Sequence, residues 1–177
     1  MKSLVLMASI LLGVTVYSQY QIGNYTTTFQ DPERGNRSIQ TEIYYPSTVG
    51  GSSATAAPGE FPVIVFGHGF VMAWSAYENL WEEFVPRGYI MVFPRTEGNL
   101  LSTDHQAFGW DLEYLVHQMQ LENLNATSPI HGAVAENTAL MGHSMGGGAA
   151  FLAADSLCTS GNQNLKTLIG LAPAEST

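Results

Sequence analysis

The five residues Gly142-His143-Ser144-Met145-Gly146 place a serine hydroxyl between two glycines in the pattern G-x-S-x-G. Such a serine sits on a sharp strand-to-helix turn, where side chains two residues to either side would collide and only glycine fits. The flanks agree with that reading. Thr138 to Met141 reads as a short buried strand, and Gly146 to Ala154 as a small-residue helix able to lie close on a sheet. Ser144 is therefore the candidate nucleophile, an oxygen presented to a carbonyl carbon for acyl transfer. The negative oxygen that develops in such a reaction needs preorganised N–H donors. One comes from the residue after the nucleophile and one from the loop behind an earlier strand. Phe66-Gly67-His68-Gly69-Phe70 ends such a strand. By position the donors are the main-chain N–H groups of Phe70 and Met145. Gly142, Gly146, Gly67 and Gly69 leave room for main chain to approach. Trp74 and His143 are candidate pocket residues, with Phe70 and Trp110 as further aromatic candidates that could equally serve a core.

A serine hydroxyl is a poor nucleophile without a base. In this layout the chain order is Ser, then Asp or Glu, then His. All five histidines (His68, His105, His117, His131 and His143) precede Ser144, and the only acids after it are Asp155 and Glu175. The sequence thus reads as the N-terminal part of a longer enzyme, inactive on its own, with C-terminal strands missing. The alternative is an intact, non-catalytic relative that keeps the scaffold for binding. His68 and His143 read as packing groups rather than as the base, and Asp111 and Glu113 as solvated on the polar side of their helix. Cys158 is the single cysteine, either awaiting a partner or a lone buried thiol. No Cys/His cluster has metal-ligand spacing, so neither a metal nor a cofactor is implied.

With 177 residues, 12% charged, the chain has the composition of one globular domain, and its formal net charge of −9 opposes phosphate backbones and anionic lipid. Nucleic acid and a stable membrane anchor are both disfavoured. Residues 1–18 begin with Met1-Lys2, continue as an apolar run from Leu4 to Val16 and end Val16-Tyr17-Ser18. That is the design of a secretory signal peptide, too short to span a bilayer, which implies a secreted or periplasmic protein formed by residues 19–177.

Tyr20 to Phe29 and Ser38 to Tyr45 alternate as strands around the turn chemistry of Asp31-Pro-Glu-Arg-Gly-Asn36, giving an N-terminal antiparallel hairpin. Pro46 to Gly59 reads as a surface loop. Strands and helices then alternate. Strands are expected at Pro62–Phe66, Tyr89–Phe93, Thr138–Met141 and Leu165–Leu171, and helices at about 75–86 and His105–Leu124, the latter with Phe108, Leu112, Leu115, Val116 and Met119 in one stripe. The fold class is α/β: a mostly parallel sheet with helices on both faces.

With these elements placed, Ser128-Pro-Ile-His-Gly132, Met141-Gly-His-Ser-Met-Gly-Gly-Gly148 and Leu165-Lys-Thr-Leu-Ile-Gly-Leu-Ala-Pro173 give the chain a resemblance to the α/β-hydrolase superfamily. It resembles the cutinase-like polyester hydrolases and, more loosely, the chlorophyllase, dienelactone hydrolase and platelet-activating-factor acetylhydrolase relatives. The resemblance implies a serine esterase acting on a small-molecule or polymeric ester, with Ser144 as nucleophile and the side chains of Phe70 and Met145 bordering the acyl groove. It also implies that Ala174 stands at a pocket position where polyester hydrolases often carry tryptophan, which disfavours flat aromatic polymers. Amide or lactone hydrolysis on the same scaffold is the alternative reaction.

Overall fold

The computed structural model describes residues 20–175. The leader read at residues 1–18 lies outside them. Seven strands form one sheet in the order β3-β1-β2-β5-β4-β6-β7. They are β1 (Gln21–Asp31), β2 (Arg37–Ser47), β3 (Gly51–Ser52), β4 (Phe61–Gly67), β5 (Ile90–Pro94), β6 (Val134–His143) and β7 (Leu165–Leu171). The helices are α1 (Glu78–Phe84), α2 (His105–Leu124) and α3 (Met145–Thr159).

The hairpin forms because its turn is chemically specified. The Asp31 carboxylate accepts the Glu33 N–H at 3.0 Å, Pro32 supplies a preset φ, and Gly35 (φ 63°) and Asn36 (φ 58°) take the left-handed conformation that reverses the chain. β1 and β2 then pair antiparallel from Gln21↔Ser47 to Asp31↔Arg37, and β2 joins β5 antiparallel. From β5 onward every pairing (β5 with β4, β4 with β6, β6 with β7) is parallel. The loops that follow these parallel strands therefore all leave the same edge of the sheet.

Strand alternation divides the core between two faces. Val63, Val65, Ile90 and Val92 point to α2 and α3. Ile64, Phe66, Met91 and Phe93 point to α1, against Tyr77, Trp81 and Val85. The α2 stripe of Phe108, Leu112, Leu115, Val116 and Met119 is fully buried, each side chain contributing about 2 kcal/mol of transfer free energy. Gly109 lets α2 approach α3 closely, since a Cβ there would stand 3.1 Å from the Leu152 Cβ and 3.3 Å from the Ala149 carbonyl.

Four expectations are corrected. The helix foreseen at about 75–86 is three pieces, a 3₁₀ turn (Trp74–Tyr77), α1, and a 3₁₀ turn (Val85–Arg87) that carries Pro86 and is closed by Gly88 at φ 91°. β6 is longer than foreseen because Glu136 and Asn137 sit exposed near its start, and their polarity hid the strand. Cys158 is exposed on α3, so the buried-thiol reading fails. Asp111 is not solvated: its side chain has no exposure and is enclosed by the hairpin arginines, with Arg37 Nε at 2.8 Å and Nη2 at 2.7 Å and Arg34 Nη2 at 2.7 Å. Glu113 is half-buried and accepts the Ser156 hydroxyl at 2.8 Å.

Candidate active site

Ser144 lies between the end of β6 and the first turn of α3, with φ 51° and ψ −119°. A non-glycine residue holds such angles only where its surroundings over-determine them, at a cost of about 1–3 kcal/mol. The surroundings are main-chain hydrogen bonds. The Ser144 N–H donates to the Leu171 carbonyl at 3.0 Å, and the Ser144 carbonyl accepts the N–H of Ala174 at 2.9 Å and that of Gly148 at 3.1 Å. Ala174, a candidate pocket residue from the sequence, thus acts by clamping the turn through its amide.

The glycines of the motif are explained by close approach. A Cβ on Gly142 would strike the main chain of Gly146 and Gly147, and one on Gly146 would strike the carbonyls of Gly67 and His68. A Cβ on Gly67 would lie 2.7 Å from the Gly146 oxygen. Gly147, which sequence reasoning did not single out, obeys the same constraint: its Cβ would meet Pro173 Cα at 2.9 Å. The triple glycine after Met145 was the signal for it.

The loop behind β4 is brought against this turn. Its Gly69 carbonyl accepts the Met72 N–H at 3.0 Å, Val71 takes φ 56°, and the Gly69 N–H donates to the Tyr77 hydroxyl at 2.8 Å. Among the described residues, neither the Phe70 N–H nor the Met145 N–H has an acceptor. The latter belongs to the first turn of α3, whose N–H groups have no helical partner and bear partial positive charge. Phe70 remains 48% exposed. Met145 is 1% exposed and packs into the α2–α3 core. Its side chain is thus a core residue rather than the border of an open groove, because the first residue of α3 faces the sheet.

Neither nearby histidine ring is hydrogen-bonded to Ser144. His68, 2% exposed, lies with Nε2 2.8 Å from the Thr96 carbonyl and Nδ1 3.0 Å from the Gly69 carbonyl, its ring 4.8 Å from that of Phe108. His143 is half-buried, and its Nδ1 is 2.9 Å from the Tyr77 hydroxyl. Burial pushes the Tyr77 phenol upward while the Gly69 N–H pulls it down, with a net rise that keeps it protonated at neutral pH.

A cavity of about 690 Å³ opens beside the loop, lined by His68, Val71, Met72, Trp74, Glu97 and Leu100 among others. Its charged groups are already paired, Glu97 with Arg37 at 2.6 Å and Arg95 with Glu42 at 3.0 Å. Trp74 also packs on Trp81 at 5.5 Å and Tyr44 at 6.0 Å, so it serves both cavity wall and core. Trp110 lines a different cavity, of about 650 Å³, between the hairpin turn and α2. Among the described residues no group of three or more His, Cys, Asp or Glu is placed to hold a metal ion, and no helix is long and apolar enough to cross a membrane.

The sequence profile of the chlorophyllase family matches residues 15–177. A comparison with curated proteins gives no match. Among solved structures, the chain is similar to a ferulic acid esterase from Streptomyces cinnamoneus, at TM-score 0.59 and 18% identity, over 77% of this chain and 56% of that one. At that identity the likeness establishes the fold, which is that of an α/β-hydrolase. The chain spans little more than half the length of that esterase.

Proposed function

From the premise that the chain belongs to the chlorophyllase family, we propose that it is a serine hydrolase of carboxylic esters. Ser144 Oγ gives up its proton and attacks the ester carbonyl, and the main-chain N–H groups of Phe70 and Met145 hold the oxyanion. The alcohol leaves with a proton as the acyl-enzyme forms, and water then cleaves the acyl-enzyme to release the acid and restore the hydroxyl. The observation that carries this reading is the turn at Ser144. A strained serine at the head of α3 stands between packed glycines, with two N–H groups left without acceptors among the described residues. Both ring nitrogens of His68 face carbonyl oxygens and His143 Nδ1 faces the Tyr77 hydroxyl, which supports a packing role for both and a proton acceptor supplied from elsewhere. The leader at residues 1–18, with its basic start and apolar run, supports export of the domain at residues 19–177.

The test is a fluorophosphonate probe, followed by peptide mass spectrometry, on the full-length protein. Stoichiometric labelling of Ser144, accompanied by turnover of p-nitrophenyl esters and lost in Ser144→Ala, is the expected result. A protein that turns over esters equally well after Ser144→Ala, or that takes no label and has no ester, lactone or peptide turnover, overturns the proposal.

A further inference from the structure

Three polar atoms from three separate segments converge at Gly69. A Cβ on that residue would stand 2.9 Å from Met72 Sδ, 3.0 Å from His143 Nδ1 and 3.2 Å from the Tyr77 hydroxyl. Gly69 is not among the glycines of positive φ, so this crowding, rather than backbone freedom, is what excludes a side chain there. At the centre is the Tyr77 oxygen, which accepts the Gly69 N–H at 2.8 Å and lies 2.9 Å from His143 Nδ1 and 3.2 Å from Met72 Sδ. With its single proton on the phenol, the hydroxyl donates to the imidazole nitrogen or to the sulfur. In the other imidazole tautomer, Nδ1–H donates to the phenol oxygen instead. In each case the oxygen stays anchored and keeps a lone pair for Gly69. The ring is fixed as well: Tyr77 is 8% exposed, and its ring lies 4.6 Å from that of Phe66 and 5.9 Å from that of His143.

We infer that Tyr77, backed by His143, is the positioning residue of the oxyanion site: it fixes the Gly69 amide and thereby aims the next N–H, that of Phe70, at the carbonyl held over Ser144. The inference rests on the reading of Ser144, Phe70 and Met145 given above. The mechanics follow from two adjacent peptide planes. The plane carrying the Phe70 N–H is held on its carbonyl side, where the Gly69 oxygen accepts the Met72 N–H at 3.0 Å and faces His68 Nδ1 at 3.0 Å. The preceding plane is held on its N–H side by Tyr77 alone. What remains is rotation at Gly69, where a glycine has the widest freedom and most needs an external stop. His143 is the residue before the nucleophile, so the same oxygen ties the donor loop to the serine whose reaction it assists. Donor and nucleophile keep their spacing, and small displacements there are costly to catalysis.

The experiment uses the full-length protein with p-nitrophenyl acetate and a matched thionoester, whose sulfur is a weaker acceptor for the oxyanion donors. Tyr77→Phe keeps the ring and deletes the hydroxyl. We expect kcat to fall about 10- to 100-fold with KM within about twofold, approaching the loss seen when one oxyanion donor is removed outright. The preference for oxygen ester over thionoester should shrink, because a misaimed donor no longer distinguishes them. A packing role alone would slow both substrates equally. His143→Gln is expected to show the same pattern at smaller size, and it carries the test if Tyr77→Phe does not fold. The inference is overturned if the folded variant keeps kcat within twofold and full discrimination while Ser144→Ala is inactive. Turnover that survives Ser144→Ala overturns the underlying reading instead.

Discussion

Asp111 gives the sharpest test of how the scaffold around this site is held. Its carboxylate has no exposed side-chain surface; it accepts two hydrogen bonds from Arg37 at 2.8 and 2.7 Å and forms an ion pair with Arg34 at 2.7 Å. The hydrogen bond to Asp111 raises the Arg37 guanidinium above its ordinary range, against the opposing effect of burial. Asp111→Ala removes the shared partner of two cations, a class of change that costs about 3–5 kcal/mol when the remaining charge is fully buried. Here both arginines have a second carboxylate, Arg37 with Glu97 at 2.6 Å and Arg34 with Asp31 at 2.5 Å, and their side chains are 29% and 19% exposed. The loss is therefore set at the lower end, about 3 kcal/mol for alanine and about 2 kcal/mol for the isosteric Asp111→Asn. In urea denaturation, with a slope of about 2 kcal/mol per molar, the alanine variant should unfold about 1.5 M earlier. Because the network is largely withdrawn from water, 1 M sodium chloride should recover little of the difference. A shift worth less than about 1 kcal/mol, or one that salt erases, would refute the view that a buried ion cluster joins the hairpin to α2.

Four further outcomes are expected. Gly146→Ala drives a Cβ into the carbonyls of Gly67 and His68, so it should cost about 3 kcal/mol or more. Gly98→Ala, with open space around it and no positive φ, should be neutral or stabilising, and equal urea midpoints for the two variants would contradict the packing account. Ser144→Gly relieves the backbone at φ 51° and should melt above Ser144→Ala, by about 1 kcal/mol in stability, with the reverse order counting against strain at the turn. Burial pushes Tyr44 and Tyr45 from 10.0 up to about 12, and Tyr25 is raised for the same reason. The folded state thus holds phenolic protons that the unfolded chain releases, so stability should be unaffected by these groups below pH 10 and fall as pH climbs towards 12. A urea midpoint flat over that interval, or a slope unchanged by Tyr45→Phe, would exclude them as the cause.

Features written in local sequence were legible. The ends of α2 and β7 were foreseen at His105–Leu124 and Leu165–Leu171, because a continuous apolar stripe and a bounded apolar run each carry their own period. The hairpin turn announced itself through Asp31, Pro32 and Gly35. The glycines around Ser144 were found from the motif, since close main-chain approach is a requirement of the turn itself. What stayed hidden depends on partners distant along the chain. Asp111 read as a solvated helix residue because the arginines enclosing it lie 74 residues upstream in the case of Arg37, and nothing near α2 advertises them. Tyr77 was not singled out within the stretch expected to be helical at about 75–86, because its hydroxyl meets His143 across a separation of 66 residues. Met145 was assigned a groove from resemblance, whereas its direction is set by the inward face of α3.

The turn at Ser144 meets the end of β4 at glycine main chain, Gly146 against Gly67 and the His68 carbonyl. A contact without side chains has nothing that substitution can retune; it is kept whole or broken. Side chains that substitution can retune lie at its periphery, in residues 71–74 and 98–100, which line the adjoining cavity. The turn is a fixed cartridge, and the cavity wall an interchangeable mouthpiece fitted around it.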